Sequence, residues 1–174
     1  MAKEWIGIIG SRFVDVYEDL EDELDVIIRS IKSRGRGIIL SAAPGIDCRT
    51  LAYLLKYHAD DVNFEVHMEQ ESIHDFEAEC MALVDKELLD AQEAQYTIDQ
   101  IKRLNLEMPD ALKKGQKSEE AEICGRYSSV VANCDEVFAI HANRNGSPVV
   151  EETIKYANEN DMPVTVKQLR RTAA

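Results

Sequence analysis

Two arginines, an aspartate and a pair of glutamates stand beside small-residue turns, and their types suit chemistry on a charged ligand. Arg12 follows Gly10-Ser11 directly, Asp47 follows Gly45-Ile46, Arg126 lies among apolar residues spaced as one helix face, and Glu151 and Glu152 follow Ser147-Pro148. A guanidinium offers a planar fork that matches phosphate or carboxylate. A solvated side chain is the ordinary reading of Arg126; Arg12 has the stronger claim, because its turn puts it at the end of a strand. Asp47 either caps the helix that follows or binds a ribose or an amine, and the two readings weigh equally. Glu151 and Glu152 sit where carboxylates complement a helix dipole. The competing reading has one of them facing a sugar, bonding ribose hydroxyls or stabilising positive charge at an anomeric carbon.

The other reactive residue types form no constellation. His58, His67, His74 and His141 lack the mutual spacing of a metal site, so no metal is expected. His141 alone falls at a strand end, where it could touch a ligand. Ser11 and Ser41 have no histidine–acid partners in sequence, which leaves nucleophilic catalysis unsupported. Cys48, Cys80, Cys124 and Cys134 make no CxxC pair and read as reduced thiols, Cys48 as a small buried residue. No turn is a full GxGxxG or a lysine-bearing phosphate loop, and no cofactor is implied.

The turns gain weight from what precedes them. Trp5-Ile6-Gly7-Ile8-Ile9 runs into Gly10-Ser11-Arg12, and Gly37-Ile38-Ile39-Leu40 runs into Ser41-Ala42-Ala43-Pro44-Gly45. Val137-Phe138-Ala139-Ile140 leads to a third loop, Asn143-Arg144-Asn145-Gly146-Ser147-Pro148. Strand, small-residue turn and helix together leave backbone N–H groups and a positive helix end facing a crevice. Ser147 at a cap and Pro148 at the first helical position would start such a helix. A nucleotide-like ligand is expected there, touching Gly10, Ser11, Arg12, Ser41, Ala42, Gly45, Asp47, Arg126, Gly146, Ser147 and Glu151.

The elements that would carry these turns alternate. Strands are predicted near residues 5–9, 37–40, 63–67, 136–140 and 163–166. Between them, Leu20, Leu24, Ile27, Ile28 and Ile31 mark one helix, Leu51, Leu54 and Leu55 a second, Ile123, Tyr127, Val130, Val131 and Cys134 another, and Val150, Ile154 and Ala157 the last. The pattern predicts an α/β, Rossmann-like three-layer sandwich with a mostly parallel sheet of about five strands. Residues 70–117 form a helical insertion, with Leu88, Ala91, Ala94, Ile98, Ile101 and Leu104 in register up to Met108-Pro109. It reads first as extra helices lying on the sheet. A lid, or an arm in which Ile98, Ile101 and Leu104 form a dimer seam, is the sharper reading.

With 174 residues and 45% hydrophobic content, residues 1–174 read as a single domain able to bury a full core. The net charge of −13 works against clinging to phosphate backbones. No apolar stretch approaches the ~20 residues of a membrane span. Lys3 and Glu4 before a short strand do not open a signal peptide. A cytoplasmic location without membrane contact is expected.

The quoted turns also carry a family resemblance. Gly10-Ser11-Arg12, Ser41…Gly45-Ile46-Asp47, Gly125-Arg126-Tyr127 ahead of Cys134-Asp135-Glu136-Val137, and Gly146-Ser147…Thr153-Ile154-Lys155-Tyr156-Ala157…Met162-Pro163-Val164 resemble the SLOG superfamily. That superfamily groups the DNA-processing protein DprA (Smf), the cytokinin-activating LOG enzymes and small nucleotide-sensing proteins. The resemblance covers roughly residues 4–68 and 118–166. It implies a Rossmann-like sheet binding nucleotides or their derivatives at the strand carboxyl ends. In the LOG enzymes an arginine and the glutamate of a GGxGTxxE motif support cleavage of an N-glycosidic bond. Arg126 matches that arginine's place, so Arg126 and Glu151 would be the catalytic pair of an enzyme. The glutamate is displaced, however: Val150 stands four residues after Gly146, with Glu151 one place later, and Asn143-Arg144-Asn145 replaces Pro-Gly-Gly. The DprA-like turn is one residue short.

These departures favour binding over cleavage. The chain is expected to sense or sequester a nucleotide or a nucleotide-derived signal such as an ADP-ribose derivative. The alternative is a nucleoside 5′-monophosphate N-glycosidase. A homo-oligomer, most simply a dimer, is expected, and single-stranded DNA is disfavoured as a partner.

Overall fold

The computed structural model describes residues 4–12, 14, 18–116, 118–142 and 147–169. Its six strands are β1 (Trp5–Gly10), β2 (Gly37–Ser41), β3 (Phe64–Met68), β4 (Leu112–Lys114), β5 (Glu136–His141) and β6 (Val164–Gln168). They form one parallel sheet in the order β4-β3-β2-β1-β5-β6. The α-helices are α1 (Leu20–Ser33), α2 (Ile46–Tyr57), α3 (Ile73–Asp85), α4 (Ala91–Glu107), α5 (Ser128–Asn133) and α6 (Pro148–Glu159).

Alternation along the central strands divides the interior into two layers. Ile6 and Ile8 of β1, with Ile38 and Leu40 of β2, pack beneath α1, α2, α3 and α4. Ile9, Ile39, Val137 and Ala139 face α5, α6 and the segment before α5. Buried on both faces, the strands are nearly continuous apolar runs, as a covered parallel sheet requires. In α1 the predicted stripe Leu20, Leu24, Ile27, Ile28 and Ile31 is entirely buried. Burying each contributes about 2 kcal/mol, which outweighs the few tenths that each isoleucine costs a helix.

The architecture is the expected one, with two details added. The sheet has six strands, because β4 pairs with β3 at the edge of the insertion. It escaped notice because three residues after Pro109, two of them lysines, give no apolar alternation. The insertion itself lies on the sheet, and α4 buries Ala94, Ile98, Ile101 and Leu104 in the chain's own core. Those residues therefore form no seam with a second copy.

From β1 to β4 the chain steps outward in one direction. It then returns across the sheet to set β5 against the other side of β1. The reversal makes the carboxyl end of β1 a topological switch point, the place where open α/β sheets leave a crevice.

Candidate functional site

The turn after β1 and the start of α2 are fitted into each other. Gly45 has φ +90°, and a Cβ there would lie 2.2 Å from the Ser11 carbonyl oxygen. A Cβ on Gly10 would come within 2.3 Å of the Ile46 side chain. With both side chains absent, the Ile46 N–H donates to the Ser11 oxygen at 3.0 Å. Ser11 also ties in β5: its N–H donates to the Ile140 oxygen at 3.3 Å and its Oγ accepts from the Ala142 N–H at 3.3 Å. Gly10 and Gly45 thus make room for the protein itself, which is reason enough for glycine at both positions.

The return segment supplies the rest. Residues Glu119–Tyr127 form 3₁₀ turns rather than the start of one amphipathic helix, broken at Gly125 with φ 55° and ψ −123°. Only glycine adopts that conformation without strain. Past this kink, Tyr127 is fully buried under the β1 turn. Its hydroxyl accepts from the Gly10 N–H at 3.0 Å and lies 2.7 Å from the Gly10 oxygen and 2.6 Å from Asp47 Oδ2. Arg126 donates from Nη2 to the Gly10 oxygen at 3.2 Å and stacks 4.7 Å from the Tyr127 ring centre.

Asp47 is not a helix cap. It sits inside the first turn of α2 and makes no capping bond; the cap position is Gly45. It is 1% exposed, with Oδ2 on Tyr127 and Oδ1 without a hydrogen-bond partner. Burial pushes its carboxyl up to about 7, against the opposing pull of Arg126, Tyr127 and Arg12. Burial and, second to it, Asp47 raise the Tyr127 phenol. Burial and the neighbouring charge of Arg126 lower the pKa of Arg12. The Nε atoms of both arginines are buried without hydrogen-bond partners. Arg12, Arg126, Ser41 and Ala42 line one crevice together with Glu69 and Glu79. It encloses about 40 Å³, little more than a water molecule needs.

The remaining expected contacts lie apart. Glu151 is exposed in the first turn of α6, and its N–H donates to the Ser147 oxygen at 2.9 Å. Ser147 takes the cap position before Pro148, but its hydroxyl makes no capping bond, so the carbonyl oxygen alone closes that turn. Gly146 and Asn143–Asn145 lie outside the described residues. His141 is half-buried at the end of β5, with Nδ1 lacking a hydrogen-bond partner. Among the described residues no cluster of three or more His, Cys, Asp or Glu could hold a metal ion. All four cysteines are free and buried.

Tyr127 is the member that sequence reasoning missed as a site residue. The helical spacing marked it as core, and a buried phenol needing a partner was the one available signal. A second polar chain also went unread: Ser129 Oγ is 2.6 Å from His67 Nδ1, and His67 Nε2 is 3.0 Å from Glu65. These are the contacts of a nucleophile relay, but Ser129 is buried and its Oγ accepts the Gln116 N–H at 2.9 Å. Its work is to anchor the turn after β4 to α5.

Neither a family model nor a curated protein matches the chain by sequence. Among solved structures, DNA processing protein A (DprA) from Streptococcus pneumoniae superposes on 98% of this chain and 51% of its own length, with a TM-score of 0.52 and 12% identity. The chain thus spans about half the length of that protein. No helix among the described residues is long and apolar enough to cross a membrane. At this identity the likeness speaks for architecture: the chain has the Rossmann-like fold of DprA, the fold that its resemblance to the SLOG superfamily implies.

Proposed function

We propose that the chain binds a nucleotide or a nucleotide-derived signalling ligand through phosphate held by Arg12 and Arg126, and senses or sequesters it. One observation carries this reading. Two guanidinium groups meet at the switch point of a parallel sheet, and the Nε of each is buried without a hydrogen-bond partner. Like charges are brought together at a cost, which an anion between them offsets. The slot between them is narrow, so a ligand would enter with phosphate oxygens and leave its base outside. Glu151, exposed on α6, supports binding rather than glycosidic cleavage.

A panel of nucleoside mono- and diphosphates and ADP-ribose, titrated calorimetrically, tests the proposal. Changing Arg12 or Arg126 to alanine should cost ~2–5 kcal/mol of affinity, as when one partner of a buried charged contact is lost. Unchanged affinity in both variants would remove arginine from the site. Mass spectrometry should return the ligand intact. Free base released by the wild type and lost in Glu151→Gln would establish the glycosidase instead. A single-stranded oligonucleotide belongs in the panel because the structural neighbour is a DNA processing protein. The net charge of −13 argues that it binds no more tightly than mononucleotides.

A further inference from the structure

Counting protons at Tyr127 exposes a feature that the arginines alone do not explain. A phenol carries one proton. Here the oxygen already accepts the Gly10 N–H, yet both the Gly10 carbonyl and Asp47 Oδ2 lie within 2.7 Å of it. If Asp47 were ionised, one of those two acceptors would face the phenol oxygen with no hydrogen between them. If Asp47 is a neutral acid, every contact is a bond: Asp47 donates to Tyr127, and Tyr127 donates to the Gly10 oxygen. The Gly10 oxygen receives Arg126 as well.

The groups around this chain fix what happens when its proton leaves. Arg12, from the turn after β1, and Arg126 and Tyr127, from the return segment, act on Asp47 directly. Glu79 of α3 acts on Arg12, and Glu69, following β3, acts on Arg126. Within α2 the neighbour of Asp47 is Cys48, a buried thiol that burial pushes up to about 12. An ionised Asp47 would be an internal counter-ion for both arginines and would compete with any external anion for them.

We propose that the Asp47–Tyr127–Gly10 chain is complete when Asp47 carries its proton, and that above neutral pH an anion settling on Arg12 and Arg126 is taken up together with that proton. The proposal rests on the reading that these arginines hold the ligand's phosphate, and it adds the regulation of that site. An anion cancels the positive charge that draws the proton off Asp47, so the bound protein holds that proton more tightly. By linkage, anion affinity falls as pH rises through neutrality. The carboxyl's value of about 7 places the effect in the physiological range.

Sulfate is the suitable probe, since it does not titrate near neutral pH. Calorimetry of sulfate binding to the full chain at pH 7.5, in two buffers of different ionisation heat, reads proton uptake directly. The expected result is a fraction of a proton taken up per sulfate and an affinity about tenfold weaker at pH 8 than at pH 6. In Asp47→Asn, whose amide can still donate to Tyr127, uptake should vanish and the affinity should become independent of pH. Sulfate binding without uptake in the wild type would overturn the coupling and leave the anion site standing. Uptake that persists in Asp47→Asn would assign the proton elsewhere and overturn it equally. No sulfate binding between pH 6 and 8 would strike the anion site itself. The wild-type measurement decides even if the variant folds poorly.

Discussion

The two edges of the sheet treat charge in opposite ways. At the amino edge, Arg34 and Arg36 converge on Glu136 at the start of β5; Arg34 meets it at 2.8 Å, and Arg36 also pairs with Glu4. Two cations there meet two carboxylates, and Glu136 is buried in the arrangement. At the carboxyl edge, Arg12 and Arg126 face Asp47, a carboxyl that burial holds toward its protonated form, and a phenol. The first cluster is electrically closed and fastens β5 to the turn between α1 and β2. In the second, Glu69 and Glu79 act on the arginines from the lining of a crevice rather than from a closed cluster. On the proposed reading, the closed edge serves stability and the crevice edge receives the ligand.

The largest test of this contrast is the pH dependence of stability. Asp47 has its folded pKa raised from 3.8 to about 7, so its favourable neutral state is present below pH 4 and is lost as pH rises toward 7. Between those limits the unfolded chain releases a proton that the folded chain keeps. The wild type should therefore lose roughly 4 kcal/mol relative to Asp47→Asn, with no further change above pH 8. Urea unfolding of both proteins across that range measures it; parallel curves would show that Asp47 is ordinary.

Next in size is Glu136→Gln at the amino edge. It takes the carboxylate from Arg34 and leaves Arg36 with Glu4 alone, and should cost about 3 kcal/mol in denaturant titrations. Tyr127→Phe should cost about 2 kcal/mol, since the Gly10 N–H loses its acceptor and Asp47 its partner inside the core. Smallest is Arg12→Ala. It removes one of two like charges that neighbour each other, so stability should stay within about 0.5 kcal/mol of wild type while ligand affinity collapses. A stability loss as large as that of Glu136→Gln would mean that the carboxyl edge is as closed as the amino edge.

The architecture was readable because burial has a period. Alternating runs and three-to-four spacings located five strands and α1, and the turns after β1 and β2 fell where the apolar runs stop. The failures have a common cause, which is that periodicity reports burial but not partnership. Gly10 and Gly45 read as ligand contacts, while the need for glycine at both comes from the Ile46 side chain and the Ser11 carbonyl that a Cβ would meet. Asp47 read as a cap or a sugar contact, because the phenol that holds it comes 80 residues later. The kink at Gly125 broke a helix that spacing alone would have run from Ile123 to Cys134. Arg126 lines the crevice, and what singled it out in the sequence was its place ahead of β5 rather than any contact.

The return of the chain from β4 to β5 also sets an order of assembly. The layer beneath α1, α2, α3 and α4 draws mostly on the first 111 residues, so β1, β2 and β3 can begin to associate early. Tyr127, however, is separated from Gly10 by 117 positions, and the Asp135 N–H that bonds the Trp5 oxygen is 130 away. At a synthesis rate of ~5–20 residues per second, the β1 turn waits about 10 s for the side chain that completes it. Contacts so distant in sequence close slowly, because loop entropy is lost before they form. The crevice is therefore among the last parts of the molecule to exist.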